Sequence, residues 1–375
     1  MNQNVLRKNA WVWTRAATLA TAMTAAIALP SIAQADNAHE TNVASDFPAT
    51  FDPYPTTAAP RFEVTVASGR TVQYSTFGPE DGEPVLYISG GLSTAEDVDA
   101  FAAYKTAIDT LGIRFILPER TGYGETPYDS SMTAASYAAD WNDLLTALGY
   151  GEVKVVAAAG GGVYAATFST LYASRVEQLQ LLSALSASQT FALCPITSPT
   201  QYLGAQQFLI DFPSFFTFLL SPPDLSVYAS VPGLLEWQFQ RLADAGDPVN
   251  HSDIGASHDF YLWCNSPVTD YSAATFPTFI YHGALDNIVP ISHAQINASS
   301  YPNVAAFRTY PNGASYVTMR HLGQVLLDMT GRSEKRIICH NGKNTVVNAH
   351  AEAAHLAHGD TQDICAWVGT PAMNQ

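Results

Sequence analysis

A stretch of small residues in the middle of the chain has the composition to stabilise negative charge on an oxygen atom. The segment Ala157–Gly162 follows a β-branched run that begins at Val153, and it leads into a helical pattern. This order predicts a strand, a sharp turn and a helix. Such a turn presents one side chain above a sheet and points free backbone N–H groups at the same place. The N–H groups of Gly160 and Gly161 could therefore bind a carbonyl oxygen or a carboxylate.

The same turn resembles the nucleophile elbow of α/β-hydrolases, Gly-x-Ser-x-Gly, in which small residues flank a strained Ser. On this pattern Ala157 takes the position of the first Gly, Ala159 that of the Ser, and Gly161 that of the last Gly. The nucleophile position therefore carries a methyl group in place of a hydroxyl.

Two further segments are similar to corners of that family. Ser89-Gly90-Gly91 follows a buried apolar run, at a corner that commonly reads His-Gly and supplies a backbone N–H to the oxyanion hole. The resemblance implies that the N–H groups near Gly90 and Gly91 face those of Gly160 and Gly161. The segment from Glu119 to Gly124 resembles the family's Asp-Arg-x-Gly-x-Gly corner.

The resemblance also assigns positions to the other two triad residues. Asp286 follows a strand-like run that starts at Pro277, where the family carries the triad acid. Ser315 lies beyond the last predicted strand, at the family's histidine position. An Ala methyl cannot attack a carbonyl carbon, and a hydroxyl cannot act as a base near neutral pH. We therefore predict that covalent catalysis by this route is absent.

Another histidine would have to restore catalysis. His321 is the nearest candidate for a substitute base, but the predicted helix Tyr316–Met329 would carry it away from a loop site. His282 is expected to be structural. The alternative is an active esterase or lactonase-like hydrolase whose nucleophile was engineered away or whose base is His321. Departures at three positions, Ser89, Ala159 and Ser315, favour natural loss over a single engineered change.

The fold class predicted is α/β, with a mostly parallel sheet flanked by helices and a helical cap insertion. Strands and helices alternate after an antiparallel start, with helices expected at Ala95–Leu111 and Thr133–Leu148. An aromatic-rich insertion favours an apolar pocket, and hence a small apolar ligand with a carbonyl or carboxylate end, or an ester-like substrate. The expected divisions are a signal peptide at 1–35, a core at 36–186 and 275–330, a cap at 187–274 and a C-terminal appendix at 331–375.

The N-terminal segment indicates export. Three basic residues precede an apolar, Ala-rich run that ends at Ala33-Gln34-Ala35, which is typical of a signal-peptide cleavage site. Removal of this leader would leave 14 Lys and Arg against 33 Asp and Glu, a formal charge of −19. Such an anionic surface argues against nucleic acid or an anionic membrane as a partner after cleavage. We expect a secreted or periplasmic protein without a cofactor.

The even number of cysteines in an exported chain favours two disulfides. Three pairings are possible, and we prefer Cys194–Cys264 and Cys339–Cys365 because each would close one segment that other signals mark as an insertion or an appendix. In the tail, Glu352, His355 and His358 share one helical face and have side chains that could ligate zinc or copper. Without a further ligand elsewhere, we expect a solvated helix and no metal site.

Overall fold

The computed structural model describes residues 47, 50–187, 194–204, 208, 211–212, 230–245, 253–267, 270–315 and 317–367. The predicted signal peptide and part of the predicted cap lie outside these residues. Among the helices that are described, none is both long and apolar enough to cross a bilayer.

An eight-stranded sheet organises the chain. Strand β2 is antiparallel to its neighbours β1 and β4, and the remaining pairs are parallel. The spatial order is β1-β2-β4-β3-β5-β6-β7-β8. The strands are β1 (Arg61–Thr65), β2 (Thr71–Phe77), β3 (Glu83–Ile88), β4 (Ile113–Pro118), β5 (Val153–Ala158), β6 (Val176–Leu182), β7 (Thr278–Gly283) and β8 (Val304–Tyr310).

The burial of each strand follows its place in the sheet. Strand β7 is buried at all six positions, and β5 is buried at all but its last. Their near-continuous apolar sequences suit central parallel strands that are covered on both faces. Strand β8 forms one edge, and its residues alternate between exposed and half-buried. Because β3, β5 and β7 run in the same direction, their carboxyl ends lie at one end of the sheet, where they position the candidate site.

Helices cover the sheet, and two of the predicted helices are interrupted. The segment predicted as one helix from Ala95 begins as 3₁₀ turns, and at its start the Asp97 side chain accepts a hydrogen bond from the Thr94 backbone N–H. The predicted C-terminal helix divides at His321, whose side chain binds Asp363. The helices of the core are α1 (Lys105–Thr110), α2 (Ala134–Ala147) and α3 (Gly161–Leu171) before the insertion, and α6 (Ile291–Ser300), α7 (Val317–Arg320) and α8 (Leu322–Met329) after it.

Two long helices lie between β6 and β7 in sequence, where the cap is predicted. They are α4 (Leu234–Ala245) and α5 (Asp253–Asn265). Helix α5 buries polar residues as well as apolar ones, among them His258 and Asp259. A disulfide joins Cys264 near the end of this helix to Cys194.

The C-terminal segment forms a second, three-stranded sheet of order β10-β9-β11. A disulfide joins Cys339 to Cys365, so both disulfides have the pairing preferred from the sequence. The Trp367 indole N–H donates to the Tyr104 hydroxyl at 3.2 Å, which ties this segment to the core. Its elements are β9 (Lys335–His340), β10 (Lys343–Asn348), α9 (Ala349–Ala357) and β11 (Thr361–Gln362).

Candidate functional site

Ala159 forms the apex of the turn between β5 and α3. Its φ is +46°, in the left-handed region that non-glycine residues adopt rarely and at a cost of about 1 kcal/mol or more. The turn is held by close backbone packing. A Cβ at Gly161 would come within 2.1 Å of the Ile88 carbonyl oxygen, and one at Gly162 within 2.2 Å of the Leu185 carbonyl oxygen. Small residues follow Ala159 because the first turn of helix α3 packs between the backbone at the end of β3 and the backbone that follows β6.

Asp286 lies just beyond the end of β7 and is 5% exposed. Its Oδ1 accepts three hydrogen bonds, from the Ser315 hydroxyl at 2.7 Å and from the backbone N–H groups of Ile288 and Val289 at 2.9 Å. Its Oδ2 is buried and receives no hydrogen bond from the residues that the structure describes. Burial raises the pKa of Asp286, and the hydrogen bond from Ser315 opposes that rise. A hydroxyl thus contacts the acid at the position where the family resemblance predicts an imidazole.

His282 is the imidazole nearest to this carboxylate among the described residues, but it is engaged elsewhere. Its Nε2 lies 3.9 Å from Asp286 Oδ2 and 2.6 Å from the carbonyl oxygen of Val289. A carbonyl only accepts hydrogen bonds, so Nε2 must carry the hydrogen and cannot take up a proton. Burial also lowers the pKa of His282 and keeps the ring uncharged. These contacts support a structural role.

His321 lies between α7 and α8, where its ring has two partners. Its Nδ1 is 3.0 Å from Asp363 Oδ1, and the ring stacks on Tyr310 with centroids 3.7 Å apart and an interplanar angle of 6°. The structure therefore links His321 to the C-terminal segment and gives it no hydrogen bond to Asp286.

Two of the four glycines predicted to bind a ligand's oxygen, Gly160 and Gly91, face Trp263 of helix α5. A Cβ at Gly160 would come within 1.9 Å of Trp263 Cζ2, and one at Gly91 within 2.7 Å of Trp263 Cη2. A Cβ at Gly90 would lie 3.1 Å from the Ala159 Cβ, so this corner also adjoins the elbow. The Trp263 side chain is 6% exposed. Its indole ring occupies the space over the glycines where a carbonyl or carboxylate was predicted to bind.

A buried ion pair holds the same helix above the site. Asp259 in α5 accepts from Arg120 Nε at 3.1 Å, from the Tyr123 hydroxyl at 2.7 Å and from the Tyr164 hydroxyl at 2.5 Å. Arg120 also donates to the carbonyl oxygens of Ser89 and Gly90, which lie on the glycine corner. Both charged side chains are 1% exposed. Because each ion is fully hydrogen-bonded, the desolvation of the pair is offset.

Neither this pair nor the position of Trp263 was predicted from the sequence. Arg120 belongs to the Glu119–Gly124 corner, and Trp263 is one of many aromatic residues in the insertion. Two features of the sequence could have indicated the Arg120–Asp259 contact. Asp259 lies within an aromatic-rich helical segment, and Arg120 lies between predicted buried elements, so each charge would need a buried partner.

Comparisons with known proteins agree with this architecture. No protein-family model matches the chain. It is 28% identical over 254 residues to the uncharacterized hydrolase YcgS of Bacillus subtilis (strain 168), covering 62% of this chain and 84% of that protein. It is 27% identical over 263 residues to a non-heme chloroperoxidase of Streptomyces lividans, covering 66% of this chain and 90% of that protein. Among solved structures, the esterase EaEST from Exiguobacterium antarcticum matches with a TM-score of 0.56 at 16% identity, covering 72% of this chain and 98% of that chain.

The chain therefore has the α/β-hydrolase fold, which confirms the fold class predicted from the elbow and the strand order. The similarity to hydrolases supports a hydrolase lineage.

Proposed function

We propose that this chain is a catalytically silent protein of carboxylic-ester-hydrolase lineage, a pseudoenzyme that binds a small apolar ligand with a carbonyl or carboxylate end. One observation carries the proposal. The Ser315 hydroxyl donates to Asp286, and Ala159 stands at the apex of the elbow. The acid is present, and the positions of the nucleophile and the base hold groups that cannot perform those roles.

Acyl transfer on this fold depends on three groups that act as a unit. The Ala159 methyl group offers no lone pair for attack on a carbonyl carbon. The Ser315 hydroxyl remains protonated near neutral pH, so it cannot accept the proton of a nucleophile or of water. Because loss of a single member already lowers the rate by orders of magnitude, we expect no ester hydrolysis through an acyl-enzyme intermediate.

Ligand binding would use the surface that Trp263 covers. Gly160 and Gly91, whose backbone N–H groups we propose as the donors, lie against the Trp263 indole, which packs at 5.1 Å centroid distance against Phe260. A ligand with an apolar body and a polar oxygen could replace the indole, because it offers similar apolar area and can also accept a hydrogen bond from these N–H groups. The ligand therefore competes with Trp263, and binding requires movement of that side chain.

Export is part of the proposal. Two disulfides, one in the cap region and one in the C-terminal segment, support folding in an oxidising compartment. The N-terminal leader predicted from the sequence also supports export. We propose a secreted or periplasmic location.

The test is hydrolysis of a panel of p-nitrophenyl acyl esters by the unaltered chain and by an Ala159→Ser, Ser315→His double variant. We expect the unaltered chain to match buffer alone, because it lacks nucleophile and base. The double variant should gain turnover, because the side chain of residue 315 already contacts Asp286. Ala159→Ser alone is the matched control and should stay at background.

Turnover by the unaltered chain that disappears on Asp286→Asn would overturn the proposal and favour an active esterase. Binding is measured separately, by the change in tryptophan fluorescence on titration with p-nitrophenyl acyl esters and short-chain carboxylates. Absence of any saturable change would reject the ligand-binding part while leaving catalytic silence intact.

A further inference from the structure

Three side chains that could bind a metal ion meet at the edge of the C-terminal sheet. They are His340 at the end of β9, His355 in the last turn of α9, and Asp360 in the turn that leads to β11. Their candidate ligand atoms all lie within 4.8 Å of one another. We propose that His340, His355 and Asp360 form a binding site for a divalent transition-metal ion of the zinc type.

The two imidazoles converge on one carboxylate oxygen. His340 Nδ1 lies 2.8 Å from Asp360 Oδ2, and His355 Nδ1 lies 2.9 Å from the same atom. The rings are nearly perpendicular, with centroids 5.7 Å apart. In tetrahedral zinc coordination, bonds of about 2.0 to 2.1 Å place neighbouring ligand atoms about 3.3 Å apart. If each Nδ1 moved about half an ångström further from Asp360 Oδ2, an ion could therefore bind between the three atoms.

The donor set defines the class of ion. Two imidazole nitrogens and one carboxylate oxygen suit zinc, copper or nickel, whereas magnesium and calcium prefer sites made of oxygen alone. His355 can bind through Nδ1 with its hydrogen on Nε2. His340 can do the same once the Asn341 side-chain amide, whose nitrogen lies 2.9 Å from His340 Nε2, turns its oxygen towards that ring, so both rings are neutral in the complex. The fourth coordination position would face solvent, because the His340 side chain is 45% exposed.

The elements that carry the ligands are fixed by covalent and backbone contacts. Cys339, the neighbour of His340, forms a disulfide with Cys365 and pairs with Thr361 across β9 and β11. The backbone N–H of Asp360 donates to the carbonyl oxygen of His355 at 3.2 Å. A site on rigid elements loses little conformational entropy on binding an ion.

The site differs from the cluster considered along the helix alone. The Glu352 carboxylate accepts from Gln362 Nε2 at 2.8 Å and lies 3.4 Å from Arg336 Nε, so it has partners other than the three proposed metal ligands. His350 and His358 are exposed. The missing ligands come from β9 and from the turn after α9, which sequence spacing does not bring next to His355.

The test is isothermal titration of zinc chloride into the full, disulfide-bonded chain after treatment with a chelator. We expect one zinc ion per chain with a micromolar dissociation constant. His355→Ala should weaken binding about tenfold or more, because it removes one of three ligands. His358→Ala, an exposed histidine three residues away, is the matched control and should leave the affinity unchanged.

Asp360→Asn provides a second variant, because the amide can still accept a hydrogen bond and should preserve the turn while removing the anionic ligand. We expect it to weaken binding as well. The visible absorption of added cobalt(II) gives a second measurement that does not depend on heats of binding. No saturable binding at millimolar zinc, or an equal loss in His358→Ala, would overturn the proposal.

Discussion

The indole ring of Trp263 lies over Gly160 so closely that no side chain could be placed there. In an α/β-hydrolase, the residue after the elbow apex offers its N–H to a developing oxyanion. Here the same residue contacts an aromatic ring from helix α5. The chain thus supplies its own apolar group at the place where we propose that a ligand binds.

Replacement of this ring should lower stability strongly. Trp263 is almost fully buried, and truncation of such a residue to Ala costs about 3 to 5 kcal/mol through lost burial and an unfilled cavity. We expect Trp263→Ala to reduce the free energy of unfolding in urea by about 3 kcal/mol or more. The control is Phe62→Ala, because Phe62 is 43% exposed and should cost less than about 1 kcal/mol. Equal losses in the two variants would contradict the packing described.

Gly161 tests the close approach of helix α3 to β3. A Cβ there would lie 2.1 Å from a backbone oxygen of Ile88, which cannot move without shifting the strand. We expect Gly161→Ala to destabilise the chain by about 3 kcal/mol or to prevent folding. Gly151→Ala is the matched control, because a Cβ there meets nothing within 4 Å, and it should be neutral or slightly stabilising. Circular dichroism during thermal unfolding measures both.

The hydrogen bond from Ser315 to Asp286 should affect stability in a pH-dependent way. Burial raises the pKa of Asp286, and loss of the hydroxyl would raise it further, because the hydroxyl stabilises the charged carboxylate. A higher folded-state pKa means that stability falls more as pH rises above the unfolded-state pKa of about 4. Ser315→Ala should therefore cost about 1 to 2 kcal/mol at pH 8 and less at pH 5. Ser299→Ala, in an exposed helical position, should cost the same at both pH values.

Asp97 gives a second pH-dependent prediction. Burial raises its pKa to about 7. Since the unfolded carboxyl titrates near 4, the folded state holds the proton more tightly, and stability falls as pH rises from about 4 to about 7. Asp97→Asn removes this penalty and should gain on the order of 2 kcal/mol at pH 8 relative to pH 5.

Asp129→Asn is the control for that measurement. Hydrogen bonds from Ser131 lower the pKa of Asp129, so its carboxyl is ionised in both folded and unfolded states from pH 5 to pH 8. Its replacement should change the free energy of unfolding equally at both pH values. A pH-independent effect of Asp97→Asn in urea titrations would show that the buried carboxyl does not titrate in this range.

The sequence alone predicted the main sheet and the elbow because both depend on local patterns. A β-branched run predicted the buried strand β5, the strand-like run from Pro277 predicted β7, and small residues after Ala158 predicted the sharp turn before helix α3. The helix expected from Thr133 is also present, with Thr133 as its N-cap, whose hydroxyl accepts from the Ser136 N–H at 3.1 Å. These features require only neighbours along the chain.

Contacts across the insertion could not be predicted in the same way. Trp263 meets Gly160 only after helix α5 has packed against the sheet, and no periodicity encodes which of many aromatic residues will do so. The interruption of the last helix at His321 has a similar cause, because its partner Asp363 follows strand β11 of the separate C-terminal sheet. His340 and His355 likewise approach only through the pairing of β9 with β11.

Helix α5 is fastened to its surroundings by two unlike attachments. Asp259 holds it to Arg120 through a buried ion pair, and one turn later Cys264 holds it to Cys194 through a covalent bond. The ion pair ties the helix to the corner that follows β4, whereas the disulfide ties it to the segment that follows β6. The inserted helix and the central strands should consequently lose their structure together, in one cooperative transition.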